Sequence, residues 1–301
     1  MGTTTAFAPG HLTGLFQIFD QSPDLLLRGA RGSGISLDLG VYTTVTAKPD
    51  SSTSWTIKIN GKKTDAFVSE KVLEKFKSKI ESQALTIEHF VETPSIAGFG
   101  SSGGGALSLA LAVNEAIGGD LTRIEAAQIA HTAEIECKTG LGSVFAAERG
   151  GFGITTKPGA PGIGAAKNYP NTDRLRVIYA YFGPIPTKEA LGNPSLRFKI
   201  NELGGKSVDE LILRPEPALF MRLSRAFTEH IGLVTPRLRK VFEVMDMNGI
   251  TMTMAMFGEV AFAVMDKEKA IEAASILERL GAEPVVVGID EKGARITSTC
   301  S

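Results

Sequence analysis

Between residues 98 and 103 the chain reads Gly-Phe-Gly-Ser-Ser-Gly, and Gly104-Gly105 extend the run. Residues this small let backbone amides approach an anion, Ser101 and Ser102 add hydroxyls, and a helix starting here contributes the partial positive charge of its N-terminus. The chemistry such a loop supports is the binding of phosphate oxygens. The spacing also satisfies the glycine pattern of dinucleotide-binding loops, but the downstream residues do not fit that fold. The next helix leads to Gly118-Gly119-Asp120 and a second helix, where a dinucleotide-binding unit requires a second strand ending in a ribose-binding acid. Asp120 therefore reads as a turn or cap residue. Gly205-Lys206-Ser207 does not complete a Walker A loop, because Ile200 stands where the first glycine is required, and it reads as a surface turn followed by a helix cap.

The elements that must position this loop can be read from periodicity and turn chemistry. Residues 3–9 and 12–19 read as an extended pair broken at Ala8-Pro9-Gly10, since Pro-Gly favours a turn. Residues 34–47 and 54–59 are β-rich, with a hairpin signal at Asn60-Gly61. Val72, Leu73, Phe76 and Ile80 recur at helical spacing with lysines on the other face, and residues 84–91 read as a strand leading into Pro94 and the loop. The helix after the loop, about 103–117, is apolar nearly all round and so must run through a core. Thr122 and Glu125 form a capping box opening a helix to about Lys138. A second glycine-rich region, 140–165, surrounds a short strand GFGITT.

A fresh strand at 174–182 places a domain boundary near 165–175, giving units of 1–170 and 171–301. The second unit carries helices at 194–203, 207–213, 216–231 and 236–247, strands at 250–256 and 259–265, a helix at 267–280 and a strand at 284–289. That order predicts an α+β sandwich lobe.

Composition excludes several classes. With 32 Lys+Arg against 33 Asp+Glu the formal charge is -1, which argues against electrostatically driven nucleic-acid binding. Cys137 and Cys300 lie far apart without metal-ligand spacing, so neither a disulfide framework nor a structural zinc site is expected. The first residues lack a basic stretch followed by an apolar one, and no segment approaches the roughly 20 apolar residues that span a bilayer. The expectation is a cytoplasmic protein with no membrane partner.

The segment PSIAGFGSSGGG at 94–105 resembles the phosphate loop of the GHMP kinases, and APGHLTGLF at 8–16 resembles their first motif, with His11 at the usual Lys position. ARGSGISLDLGV at 30–41, HTAEIECKTGLGSV at 131–144 and KPGAPG at 157–162 point the same way, and MTMAMFG at 252–258 looks like a divergent third motif. The ordered set covers both halves of the chain and is most similar to archaeal pantoate kinases.

The resemblance implies a two-lobed α+β kinase fold, an N-terminal mixed α/β nucleotide-binding lobe and a C-terminal sandwich lobe, acting with ATP and Mg²⁺. ATP phosphates would lie on Pro94, Gly98, Gly100, Ser101, Ser102, Gly103, Gly104 and Gly105, with Ser102 and Glu134 as the Mg²⁺ ligands. From residue type alone Glu134 is one of three glutamates on its helix, beside Glu125 and Glu136, and would be a solvated face residue; the resemblance reverses that reading. His131, one turn earlier on the same face, reads as packed or supporting. His89 and His230 have no ligand set near them in sequence.

The acceptor would meet His11, Arg31, Thr139, Gly140 and Gly258. Arg31 suits a substrate carboxylate through its planar fork, with Arg28 its neighbouring competitor. The family places an aspartate after Thr-Gly-Leu-Gly, whereas this chain has Ser143, so Ser143 and His11 are the candidate catalytic residues and no carboxylate base stands there. The implied reaction is phosphorylation of pantoate to 4-phosphopantoate in archaeal coenzyme A synthesis, with a homodimer as the implied assembly. Kinases of homoserine, mevalonate or another hydroxy acid, a nucleotide-binding regulator with weakened catalysis, and a dinucleotide oxidoreductase are the competing readings.

Overall fold

A computed structural model describes residues 2–94, 97–184 and 193–300, so Ser95 and Ile96 of the 94–105 segment lie outside the described residues. The first sheet has the order β12-β1-β2-β5-β3-β4, with β6 pairing β2 and β7 pairing β6. Its long members are β1 (Gly2–Phe19) and β2 (Gly29–Pro49). Around them lie β3 (Ser54–Ile59), β4 (Lys62–Lys63), β5 (Gln83–Val91), β6 (Phe152–Lys157), β7 (Ala165–Asn168) and β12 (Arg295–Cys300). The second sheet is antiparallel, with β11 (Pro284–Val287), β8 (Leu175–Pro184), β10 (Gly258–Asp266) and β9 (Thr253–Met254) in that order.

The expected pair 3–9 and 12–19 is a single strand. Pro-Gly does not turn the chain; its pairing with β2 slips between Pro9 and His11 and again between Thr13 and Leu15. Such bulges bend a strand and re-aim the residues beyond them. Here the His11 N–H leaves the ladder and donates to the Phe99 carbonyl at 2.8 Å, which fastens the strand to the glycine loop.

The Asn60-Gly61 hairpin is present, with φ values of 49° and 75°, the left-handed pair that a tight primed turn requires. β3 and β5 run parallel, a pairing that needs a crossover. α1 (Phe67–Phe76) provides it, burying Val72, Leu73 and Phe76.

Helix α2 (Ser101–Ala116) starts two residues before its expected position and runs buried through the core, as an all-round apolar sequence demands. α3 (Arg123–Cys137) opens on the Thr122–Glu125 capping box and packs against α2 through Ala126, Ala127, Ala130 and Ala133. A further helix, α4 (Ser143–Arg149), lies inside the segment read as glycine-rich loop; seven residues are too few for periodicity to announce.

After β8, α5 (Pro194–Leu213), α6 (Pro217–Ile231) and α7 (Pro236–Met247) each begin with proline, whose fixed φ and missing N–H suit a first helical position. The expected break at 203–207 does not occur, and Gly205-Lys206-Ser207 is helix interior. A Cβ on Gly204 would lie 1.9 Å from the Phe16 carbonyl oxygen, so glycine is there to let α5 press on β1. The strand expected at 250–256 shortens to two residues because Ala255-Met256-Phe257 turn the chain, with Phe257 at φ +64°. α8 (Lys267–Arg279) then links β10 to β11.

The last strand was not expected. β12 returns to pair with β1, and Ala294 packs in the core of the first sheet. We propose a division of the chain near residue 170, with this closing segment returned to the N-terminal unit. Among the described residues no helix is long and apolar enough to cross a membrane.

Candidate active site

A cavity is walled by His11 and Thr13 of β1, Arg31 of β2, Gly98 and Gly100 before α2, and Phe257 of the turn before β10. Thr139, Gly140 and Ser143, from the α3–α4 connection, close another side. Segments more than two hundred residues apart in sequence thus meet at the entrance of α2.

That entrance has the geometry that suits an anion. Gly98 and Gly100 take φ of +77° and +65°, a region costly for other residues. They swing the chain into the helix so that Gly104 N–H already bonds the Gly100 carbonyl at 2.9 Å. No side chain caps α2, which leaves its first-turn N–H groups aimed outward with the positive end of the helix dipole. Ser101 Oγ pairs with Thr93 Oγ1 at 2.9 Å, whereas Ser102 is exposed. Pro94 is half-buried at the foot of the loop and does not line the cavity.

Glu134 projects from α3 to the underside of this loop. It is 2% exposed, and Ser143 Oγ lies 2.7 and 2.8 Å from its two carboxylate oxygens, donating its one proton to them. A Cβ on Gly103 would stand 2.9 Å from Glu134 Oε1, and one on Gly140 2.4 Å, so α2 and the 139–142 turn leave room for the carboxylate and little more. Burial pushes its pKa up to about 7, against the opposing pull of the Ser143 hydroxyl and the Val144 N–H. No Lys or Arg pairs with it among the described salt bridges. Among the described residues no three His, Cys, Asp or Glu cluster to hold a metal. A lone buried carboxylate beside hydroxyls and a phosphate loop suits a hard cation that brings phosphate oxygens with it, not an all-protein cage.

Ser143→Ala isolates the hydroxyl's contribution. The buried carboxylate loses its side-chain donor, and the expected cost is about 1–3 kcal/mol above pH 8, where it is ionised. Urea unfolding at pH 8 and pH 5 measures this, with the smaller loss at pH 5; equal losses at both would show that the hydroxyl does not serve the charge.

His11 lines the cavity beside Gly34, and burial lowers its pKa to about 4, so the ring is neutral at physiological pH. Ser36 Oγ donates to the Ala146 carbonyl at 3.4 Å, which leaves its oxygen to accept from His11 Nδ1 at 3.3 Å. In the tautomer protonated at Nδ1, Nε2 is the nitrogen left to accept.

Arg31 also lines the cavity, but its guanidinium is largely occupied, with Nη2 on the Asp209 carboxylate and Nη1 3.3 Å from Gln17 Oε1. Its buried Nε has no partner. Arg28, its competitor, points away, with Nε on the Ser22 carbonyl at 2.5 Å. His131 bonds the Arg28 carbonyl at 3.1 Å, tying α3 to that loop. His89 is buried between Thr43 Oγ1 at 2.8 Å and Ser69 Oγ at 3.0 Å, with Ser108 continuing the chain of hydroxyls to the Gly104 carbonyl. Gly258 lies behind the cavity against Ala97, not on its wall. Sequence reasoning missed Arg149 and the apolar Phe16, Phe145 and Met256, which also line the cavity; a single Arg ending a seven-residue helix carries no spacing signal.

The GHMP kinases N-terminal domain is matched over residues 67–151. The chain is 34% identical over 280 residues to a pantoate kinase of Thermococcus kodakarensis, covering 90% of this chain and 91% of that one. It is 35% identical over 283 residues to a pantoate kinase of Methanocaldococcus jannaschii, covering 94% and 99%. A solved structure described as a phosphotransferase related to the CoA biosynthesis pathway superposes with a TM-score of 0.90 at 29% identity, over 99% of both chains.

Proposed function

The chain belongs to the GHMP kinase family, and from that premise we infer that it is a pantoate kinase, moving the γ-phosphoryl group of ATP to the 4-hydroxyl of pantoate. The observation that carries this is the similarity to two pantoate kinases at 34 and 35% identity over nine-tenths of the chain. The acceptor oxygen bonds to the γ-phosphorus as the bond to the bridging oxygen breaks, ADP leaves, and the hydroxyl proton departs with the transferred group or to solvent. Phosphoryl transfer asks mainly for positioning and charge stabilisation, and its loose transition state demands little of a base. A serine at 143 is compatible with that demand.

The N–H groups of Ser101, Ser102 and Gly103, at the uncapped start of α2 behind Gly98 and Gly100, hold the phosphates, while Gly104 and Gly105 keep the first turn narrow. Glu134, with Ser102 across the loop, would hold Mg²⁺, and its desolvated, cation-free carboxylate supports that role. When bound, the ion neutralises charge on the phosphate oxygens. Ser143 orients the Glu134 carboxylate. His11, neutral and held at Nδ1 by Ser36, accepts the acceptor hydroxyl at Nε2 and aims its oxygen. Arg31, held by Asp209 and Gln17, together with Thr139 and Gly140 bounds the acceptor space, and Gly258 holds the loop from behind.

ADP release with Mg·ATP, measured in parallel on D-pantoate, pantothenate, homoserine and mevalonate, tests the inference. Turnover on pantoate alone is expected. ATP binding without turnover on any acceptor would replace this reading with that of a nucleotide-binding regulator.

A further inference from the structure

We propose that Arg149 is the residue that takes the carboxylate of the acceptor and so selects for hydroxy acids, a proposal that rests on the pantoate reading above. Among the described residues, three side chains that can carry positive charge line the cavity: His11, Arg31 and Arg149. His11 is neutral because burial lowers its pKa. Arg31 is paired with Asp209, so its charge is compensated inside the protein. Arg149 makes one hydrogen bond, Nη2 to Asn168 Oδ1 at 3.2 Å, and no carboxylate of the described residues reaches it. The cavity wall therefore carries one uncompensated positive charge, and an anionic acceptor supplies its counter-charge.

The placement of that charge fits the reaction. Helix α4 begins at Ser143, whose Cβ would stand 3.3 Å from a Cβ on Gly100 of the phosphate loop, and it ends at Arg149. Seven residues at about 1.5 Å per residue separate the two ends by roughly 9 Å. Phe145, Ala146 and Arg149 stand on one helical face, and all three line the cavity, while Val144 and Ala147 are buried in the core behind. The helix thus offers the acceptor a phosphate-side end, an apolar middle and a cationic far end, in the order hydroxyl, branched carbon body, carboxylate. Arg31 is held by Asp209 and Gln17 with its Nε buried, whereas Arg149 is exposed and makes a single hydrogen bond, which leaves its guanidinium open to a carboxylate.

Steady-state kinetics of the full-length protein on D-pantoate and on its carboxamide test this. For Arg149→Gln the KM for pantoate should rise about 10- to 100-fold, the size of a lost charge-assisted hydrogen bond, with kcat and the KM for ATP within about threefold. The wild type's preference for carboxylate over carboxamide should collapse in the variant, and Arg149→Lys should restore part of it. Arg149 is exposed, so a normal thermal melt is expected for both variants. Retention of the carboxylate preference by Arg149→Gln would overturn the proposal, as would its loss in Arg31→Gln alone. Absence of wild-type turnover on pantoate would instead sink the substrate reading and this proposal with it, which keeps the two failures distinct.

Discussion

Replacing Glu134 by Gln lowers turnover about 10²- to 10³-fold and at the same time raises the stability of the ligand-free protein above pH 7. The loss of rate is the expected effect of removing the carboxylate proposed above to hold Mg²⁺, since such charge stabilisation is worth several kcal/mol in the transition state. The gain in stability comes from burial. Glu134 is 2% exposed, has hydroxyl and amide donors but no cation, and its pKa is pushed from 4.5 to about 7. Because the folded value lies above the unfolded one, the native state binds more protons between those pH values, and wild-type stability falls as pH rises through that window. Above it the ionised group costs as much as ~3 kcal/mol, which Gln, of the same shape and uncharged, removes. His11 and His89, both lowered to about 4 by burial, act in the opposite sense between pH 6.5 and 4. They are common to both proteins, so the wild-type-minus-variant difference isolates Glu134. Thermal melts at pH 5 and pH 8 should show the variant several degrees more stable at pH 8 and nearly equal at pH 5. A variant that keeps normal turnover would remove Glu134 from the site, whatever its stability.

Gly258→Ala is expected to cost about 3 kcal/mol and to weaken ATP binding about 10- to 100-fold while leaving the cavity's own side chains untouched. Gly258 opens β10, where a Cβ would fall 2.0 Å from the Ala97 carbonyl oxygen and 2.2 Å from its carbon. Across the same contact a Cβ on Gly98 would fall 2.5 Å from the Met256 carbonyl oxygen. The turn before β10 and the phosphate loop are therefore packed backbone on backbone, and nothing flexible stands between them to yield. A methyl group must displace the main chain, at the upper end of overpacking costs. The displaced segment is the one whose N–H groups are to meet the phosphates, where a 1 Å error can cost about 100-fold. Melting temperature and ATP titration of the variant check the two effects. Unchanged nucleotide affinity in a destabilised variant would show that the loop is positioned by something other than this contact.

The features legible in the residues are those with short-range causes. A two-residue turn at Asn60-Gly61, a capping box at Thr122 and Glu125, the apolar periodicities of α1 and α2 and the small residues of the 98–105 loop each act within about one helical turn or one hairpin, so the residue types decide them without reference to the rest of the chain. The family resemblance extends that reach to the reaction, because ordered motifs carry a fold that has already been assembled elsewhere. What could not be read locally was decided by packing between distant segments. Pro9-Gly10 became a bulge because β2 was there to pair with both halves of β1. Gly204-Gly205 stayed helical because Phe16 and Gln17 lie against them. The C-terminal residues found their place on β1, almost three hundred residues earlier in the chain. The site divides in the same way. Residue types and spacing pointed to the phosphate loop, and the family resemblance pointed to Glu134 and to the absence of an acid at 143. Only the tertiary structure placed Ser143 on Glu134, tied Arg31 to Asp209 across 178 residues and left Arg149, among the described residues, lining the cavity without a carboxylate partner. Charge compensation depends on which side chains come within a few ångströms of one another, and that distance is set by how the sheets and helices pack.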